Sequence, residues 1–123
     1  MSGTSRADCI RSFFTAYKTK DRSFVEGLLS DDFTFTSPYD DAIDKAAYFE
    51  RCWPTSELIR SHELKRIMEE GDDAFVLYDC TMGDGKKFRN AEFFTFEGEK
   101  LRRVEVFFGA SWRDGKFVRK TSD

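Results

Sequence analysis

The stretch Phe88-Arg89-Asn90-Ala91-Glu92-Phe93-Phe94-Thr95-Phe96 runs through Glu97-Gly98-Glu99-Lys100 into Leu101-Arg102-Arg103-Val104-Glu105-Val106-Phe107-Phe108. Two long apolar-rich runs split by a glycine turn read as an antiparallel hairpin. Loop length sets which side chains face each other, and charge decides the loop. A two-residue turn would put Glu92 opposite Glu105 and Phe94 opposite Arg103, opposing like charges and splitting the apolar set between faces. A three-residue loop, Gly98 to Lys100, instead sets Phe94 opposite Val104, Glu92 opposite Val106 and Asn90 opposite Phe108. The spacing therefore predicts the three-residue loop, with a carboxyl group in apolar company at mid-sheet.

Upstream, the run from Ala74 to Met82 leads into Gly83-Asp84-Gly85-Lys86, and Asp-Gly between apolar runs is a strong hairpin signal. A two-residue Asp84-Gly85 turn places Leu77 opposite Glu92 and Asp79 opposite Asn90. One face then carries Phe75, Leu77 and Asp79 with Asn90, Glu92, Phe94, Val106 and Phe108. The other carries Val76, Tyr78, Cys80, Met82, Ala91 and Phe93. Both faces are apolar, and a few short helices cover only one of them. A second copy of the chain is the expected cover for the outer face, giving a homodimer. A further strand is expected from Ile59 to Met68, and Asp114-Gly115 suits a small hairpin between Trp112 and Phe117.

The first half of the chain reads helical. Ser5 with Asp8 three residues on is a capping-box pattern, and Ile10, Phe13, Phe14 and Tyr17 follow at helical spacing. Asp21 can cap a short helix carrying Phe24, Leu28 and Leu29. Phe33-Thr34-Phe35-Thr36 alternates as a short strand stopped at Pro38. Asp44 can cap a third helix with Tyr48, Phe49, Cys52 and Trp53 as its buried stripe and Pro54 at its end. Helices and strands so segregated predict one α+β domain.

Composition bounds the function. The 123 residues include 14 phenylalanines, which suits a thick core or a lined cavity. With 20 basic and 23 acidic residues interspersed, the net charge is −3, and no basic stripe is present to neutralise phosphates. Nucleic acid is thus not an expected partner. Cys9, Cys52 and Cys80 are an odd, widely spaced set in apolar runs, which points to buried free thiols rather than disulfides or zinc. One histidine, His62, offers no ligand set, so no metal and no cofactor are expected. Met1 to Asp8 lacks the apolar segment of a secretory signal and no run is long enough to span a bilayer, so a cytoplasmic location is expected.

Several strings resemble the nuclear transport factor 2-like superfamily, in its SnoaL-like branch, which is named for a polyketide cyclase. They are Phe13-Phe14-Thr15-Ala16-Tyr17 into Lys20-Asp21, Leu28-Leu29-Ser30-Asp31-Asp32-Phe33, Thr36-Ser37-Pro38, and the closing Phe94 to Lys100 with Val104 to Gly109. The resemblance spans roughly Arg6 to Gly109. It implies a cystatin-like cone, three N-terminal helices packed on a strongly curved antiparallel sheet around a hydrophobic pocket. The ketosteroid isomerases of the same superfamily imply three roles. Their helix tyrosine falls on Phe13, with Tyr17 one turn later; their basic aspartate falls on Ser37; their protonated oxyanion-hole aspartate falls on Glu92. Steroid isomerisation by that mechanism does not carry over, because the base is absent.

Glu92 is the first candidate for chemistry, since desolvation raises a carboxyl pKa and keeps it protonated as a donor. The plainer alternative is a structural glutamate paired with Arg89 or Arg103. Asp79 joins Glu92 and Asn90 only if the Asp84-Gly85 turn is right. Asp41, beside Asp40 just after Pro38, is a further carboxylate at the expected pocket mouth, although aspartates there commonly close turns. Phe13, Tyr17, Tyr39, Trp53, Asn90, Phe94, Val106 and Phe108 are the expected binding surface. His62 is conceivable as a general base, but an edge-strand histidine is more often partly solvated. The expected function is binding of a small apolar organic ligand, with cofactor-free isomerase, dehydratase or cyclase chemistry. The rival is a non-catalytic binding or dimerisation module.

Overall fold

A computed structural model describes residues 5–117. The chain forms α1 (Arg6–Thr19), α2 (Arg22–Leu28), β1 (Leu29–Ser37), β2 (Asp40–Asp44), α3 (Lys45–Arg51) and a 3-10 segment (Trp53–Leu58). Then come β3 (Ile59–Glu70), β4 (Asp73–Met82), β5 (Lys87–Glu97), β6 (Lys100–Arg113) and the short β7 (Lys116–Phe117). All three expected caps form: Ser5 accepts from the Asp8 amide, Asp21 from Phe24 and Asp44 from Ala47. Each satisfies an amide that the helix itself leaves unpaired. None of the described helices is long and apolar enough to cross a membrane.

The strands form one open sheet in the order β2-β1-β6-β5-β4-β3, with β7 on β6. Pairing is antiparallel except between β1 and β6, which run parallel. The helices cover the concave face, where Ile10 and Phe14 of α1 meet Val76, Phe94 and Val104 in a buried core. β2 falls where turn residues are expected. A strand of mixed burial carrying Asp40, Asp41 and Asp44 has no clean apolar alternation to announce it.

The β5–β6 register is the expected one, reached by another route. Phe94 faces Val104, Glu92 faces Val106 and Asn90 faces Phe108. Yet Glu97 pairs with Lys100, so the turn is the two residues Gly98 and Glu99. The shift comes from a bulge between the pairs Phe96–Leu101 and Thr95–Arg103, which leaves Arg102 as the extra residue. Bulges bend and twist a sheet, and a second lies between Phe88–Ser111 and Asn90–Phe108. There a Cβ on Gly109 would sit 2.2 Å from the Arg89 carbonyl oxygen. Only glycine fits without moving backbone. Gly109→Ala is expected to destabilise the fold by about 1–3 kcal/mol, as overpacking does, and urea denaturation reads the loss.

The β4–β5 register differs from expectation by one residue. The Met82 amide donates to the Lys86 carbonyl, so the loop is Gly83-Asp84-Gly85, with Gly85 at φ 92°. Val76 faces Glu92, Tyr78 faces Asn90 and Asp79 faces Arg89. A slip of one residue turns every β4 side chain to the other face. The concave face therefore receives Val76, Tyr78, Cys80 and Met82. The outer face receives Phe75, Leu77 and Asp79.

Candidate functional site

The helices and the concave sheet face enclose a cavity of about 380 Å³, within the usual size range for small-molecule sites. α1 contributes Phe13, Phe14 and Tyr17; β4 contributes Tyr78, Cys80 and Met82; β5 contributes Phe88, Asn90 and Glu92. The β6 residues Val104, Val106 and Phe108 close the far wall. An aromatic and aliphatic lining surrounds very few polar groups.

Glu92 is the acidic group buried among them and is only 8% exposed. The Tyr78 hydroxyl donates to its Oε2 at 2.5 Å. Oε1 has no protein partner among the described residues, and no described side-chain polar atom is both sealed from solvent and unpaired. Oε1 therefore opens onto the cavity. Burial pushes the Glu92 pKa from an ordinary 4.5 up to about 7, against the smaller lowering effect of the Tyr78 bond. Neither Arg89 nor Arg103 pairs with it in any described ion pair, so the structural ion-pair alternative is not realised.

Three other polar features share the cavity. Tyr17 and Tyr48 join hydroxyl to hydroxyl, and burial pushes both phenol pKa values up. His62, on the edge strand β3, points inward rather than to solvent. Its ring packs edge-on against Phe14 and close to Tyr78, and burial followed by Lys18 pushes its pKa down from 6.5 to about 4. The imidazole is neutral through the physiological range. At the mouth, Asp40 accepts from Arg51 Nε at 2.8 Å, from Arg51 Nη2 at 2.5 Å and from the Ser37 hydroxyl at 3.0 Å. Burial pushes the thiols of Cys52 to about 11 and Cys80 to about 12, leaving both protonated and inert.

Of the expected site residues, Glu92, Asn90, Phe13, Tyr17, Tyr39, Val106 and Phe108 line the cavity. Phe94 does not; it is fully buried beneath Phe13, with ring centroids 5.7 Å apart. Trp53 stands behind the wall, packed on Tyr17 and Phe49. Asp79 is a correction, since the β4 slip sends it to the outer face. There Arg89 grips it at 2.6 and 3.1 Å and holds its carboxyl below the usual range. Asp41 is another: it is exposed, and strand alternation turns its neighbour Asp40 to the cavity. Tyr78, Tyr48 and Arg51 are not among the expected site residues, and His62 is buried in the cavity rather than partly solvated at the sheet edge. Tyr78 would have followed from the correct β4 register. The others depend on long-range packing that no local pattern encodes.

The profile of the SnoaL-like domain family matches residues 10–104. The chain belongs to the SnoaL-like domain family. Among curated proteins, none matches this sequence. Solved structures similar to this SnoaL-like domain include a protein of the nuclear transport factor 2-like type, of unknown function, from Cytophaga hutchinsonii. It is 20% identical, with TM-score 0.72, over 87% of this chain and 92% of that one. A candidate polyketide cyclase from Sinorhizobium meliloti is 17% identical, with TM-score 0.66, over 80% and 93%. A candidate ketosteroid isomerase from Kribbella flavida is 16% identical, with TM-score 0.68, over 93% and 87%. At such identities the likeness shows the SnoaL-like fold alone.

Proposed function

We propose that this SnoaL-like domain binds a small, largely apolar carbonyl compound and moves protons on it without a cofactor, in an isomerisation, dehydration or cyclisation. The observation that carries this reading is Glu92: a carboxyl group in an aromatic cavity, protonated near neutral pH, with Oε1 directed at the occupant. A neutral acid there donates to a carbonyl oxygen and stabilises the negative charge that grows on it. His62 is the complementary acceptor. Its neutral imidazole has about the basicity of an ordinary carboxylate, and it adds no negative charge beside Glu92. Asp40, tied to Arg51 and Ser37, is held as a fixed charge at the mouth. The test is to titrate 2-tetralone, a bicyclic ketone, into the labelled protein. Amide shifts are expected around Tyr17, Tyr78 and Glu92; shifts confined to the outer sheet face would contradict the reading.

The rival reading, a non-catalytic dimerisation module, shares one feature with it. Outer-face residues Phe75 and Phe107 are 42% and 48% exposed, and Leu77, Ala91 and Phe93 lie between them on paired strands. We assign this face to a second copy of the chain. Sedimentation should give twice the monomer mass, and Phe107→Glu should halve it. A wild-type monomer at tens of micromolar would rule out this use of the face.

A further inference from the structure

A chain of hydrogen bonds leads from the β6 backbone to Glu92. The Gly109 amide donates to Asn90 Oδ1 at 3.3 Å, Asn90 Nδ2 donates to the Tyr78 hydroxyl oxygen at 3.3 Å, and Tyr78 donates to Glu92 Oε2 at 2.5 Å. Direction along it is forced at every link. A backbone N–H can only donate, so the Asn90 amide must present its oxygen to Gly109 and its NH2 to Tyr78. An NH2 group only donates as well. The Tyr78 oxygen is therefore an acceptor on that side, and its single proton points at Glu92.

We propose that Asn90 and Tyr78 are positioning residues that keep Glu92 Oε2 as an acceptor and so place the acid's proton on Oε1, facing the cavity. Asn90, expected to touch ligand, thus acts through Tyr78. The close approach at the Gly109 bulge sets the register that brings the starting amide to Asn90. Without the chain, the Tyr78 hydroxyl could turn and accept a proton from Oε2, and the acid would face the wall rather than the occupant. The inference rests on Glu92 as the proton donor of the site.

The test reads the free protein, so it does not depend on any ketone binding. The titratable groups that share the cavity with Glu92 are Tyr17 from α1, Tyr48 and Cys52 from α3 and its end, Tyr78 and Cys80 from β4, and His62 from β3; Arg51 and Asp40 stand at the mouth. The phenols and thiols do not ionise near neutral pH and His62 is already neutral there, so the Glu92 carboxyl carbon, followed by 13C NMR with Glu92→Gln for assignment, reports one titration near neutral pH. Tyr78→Phe deletes a bond that favours the ionised form, and the midpoint should rise by about one to two pH units. Asn90→Leu should raise it in the same direction by a smaller amount, because the unpinned hydroxyl can then accept from the neutral acid. Asn90→Ser serves if the leucine variant does not fold. An unchanged midpoint in the folded Asn90 variant, or a fall in Tyr78→Phe, overturns the proposal. If the titrations behave as expected but 2-tetralone does not bind, the positioning chain stands and the functional reading fails.

Discussion

Glu92→Gln is expected to keep the fold and lose the chemistry. Glutamine has nearly the same shape, its oxygen can still accept from Tyr78, and its NH2 can still donate to a ligand carbonyl. It cannot give up a proton at neutral pH. Affinity for 2-tetralone should therefore stay within several-fold, whereas turnover should fall by about 100-fold or more, the usual worth of a positioned general acid. Exchange of the α-protons of 2-tetralone for deuterium in D2O, followed by proton NMR, measures this without a known physiological substrate. Wild-type protein should accelerate the exchange over buffer, with an optimum between the two pKa values of about 4 and about 7. Equal rates for wild type and variant would remove Glu92 from the mechanism. No acceleration by wild type, with binding intact, would favour the non-catalytic module.

The second large effect is on stability, and two groups work against each other. Glu92 has a folded pKa of about 7 against an ordinary 4.5. Between those values the folded protein holds a proton that the unfolded chain has released, so stability falls as pH rises, by roughly 3 kcal/mol in all. His62 has a folded pKa of about 4 against an ordinary 6.5. Here the unfolded chain holds the proton, so stability rises with pH, by roughly 2 kcal/mol once partial exposure is allowed for. Wild-type protein should therefore show only a shallow fall between pH 4.5 and 7. Glu92→Gln should expose a rise from pH 4 to 6.5, and His62→Phe a steep fall from pH 4.5 to 7. The lowered carboxyls of Asp32, Asp79 and Asp84 act below their ordinary 3.8, outside this window. Urea midpoints across the range measure the slopes. Parallel curves for wild type and both variants would show that neither group is buried as described.

Local chemistry was legible along the chain. Ser5, Asp21 and Asp44 announced three helix starts because capping involves only residues within a single turn. The cross-strand partners of Glu92 and Asn90 on β6 were also correct, since charge and apolar matching over a long hairpin outweigh the details of its turn. That is why a two-residue turn plus a bulge at Arg102 ends in the register expected from a three-residue loop.

The β4 register was another matter. Gly83-Asp84-Gly85 can close as a two- or a three-residue loop, and both sides of β4 are apolar, so neither turn chemistry nor patterning separates the choices. Sequence alone established the α+β class, the helix starts and an acid in an oily strand. Folding decided that Tyr78 rather than Asp79 meets that acid, that His62 and Asp40 reach the same hollow, and that Trp53 and Phe94 do not. The reason is physical: which side of a strand faces inward depends on contacts between residues far apart in the chain, and a shift of one residue reverses them all.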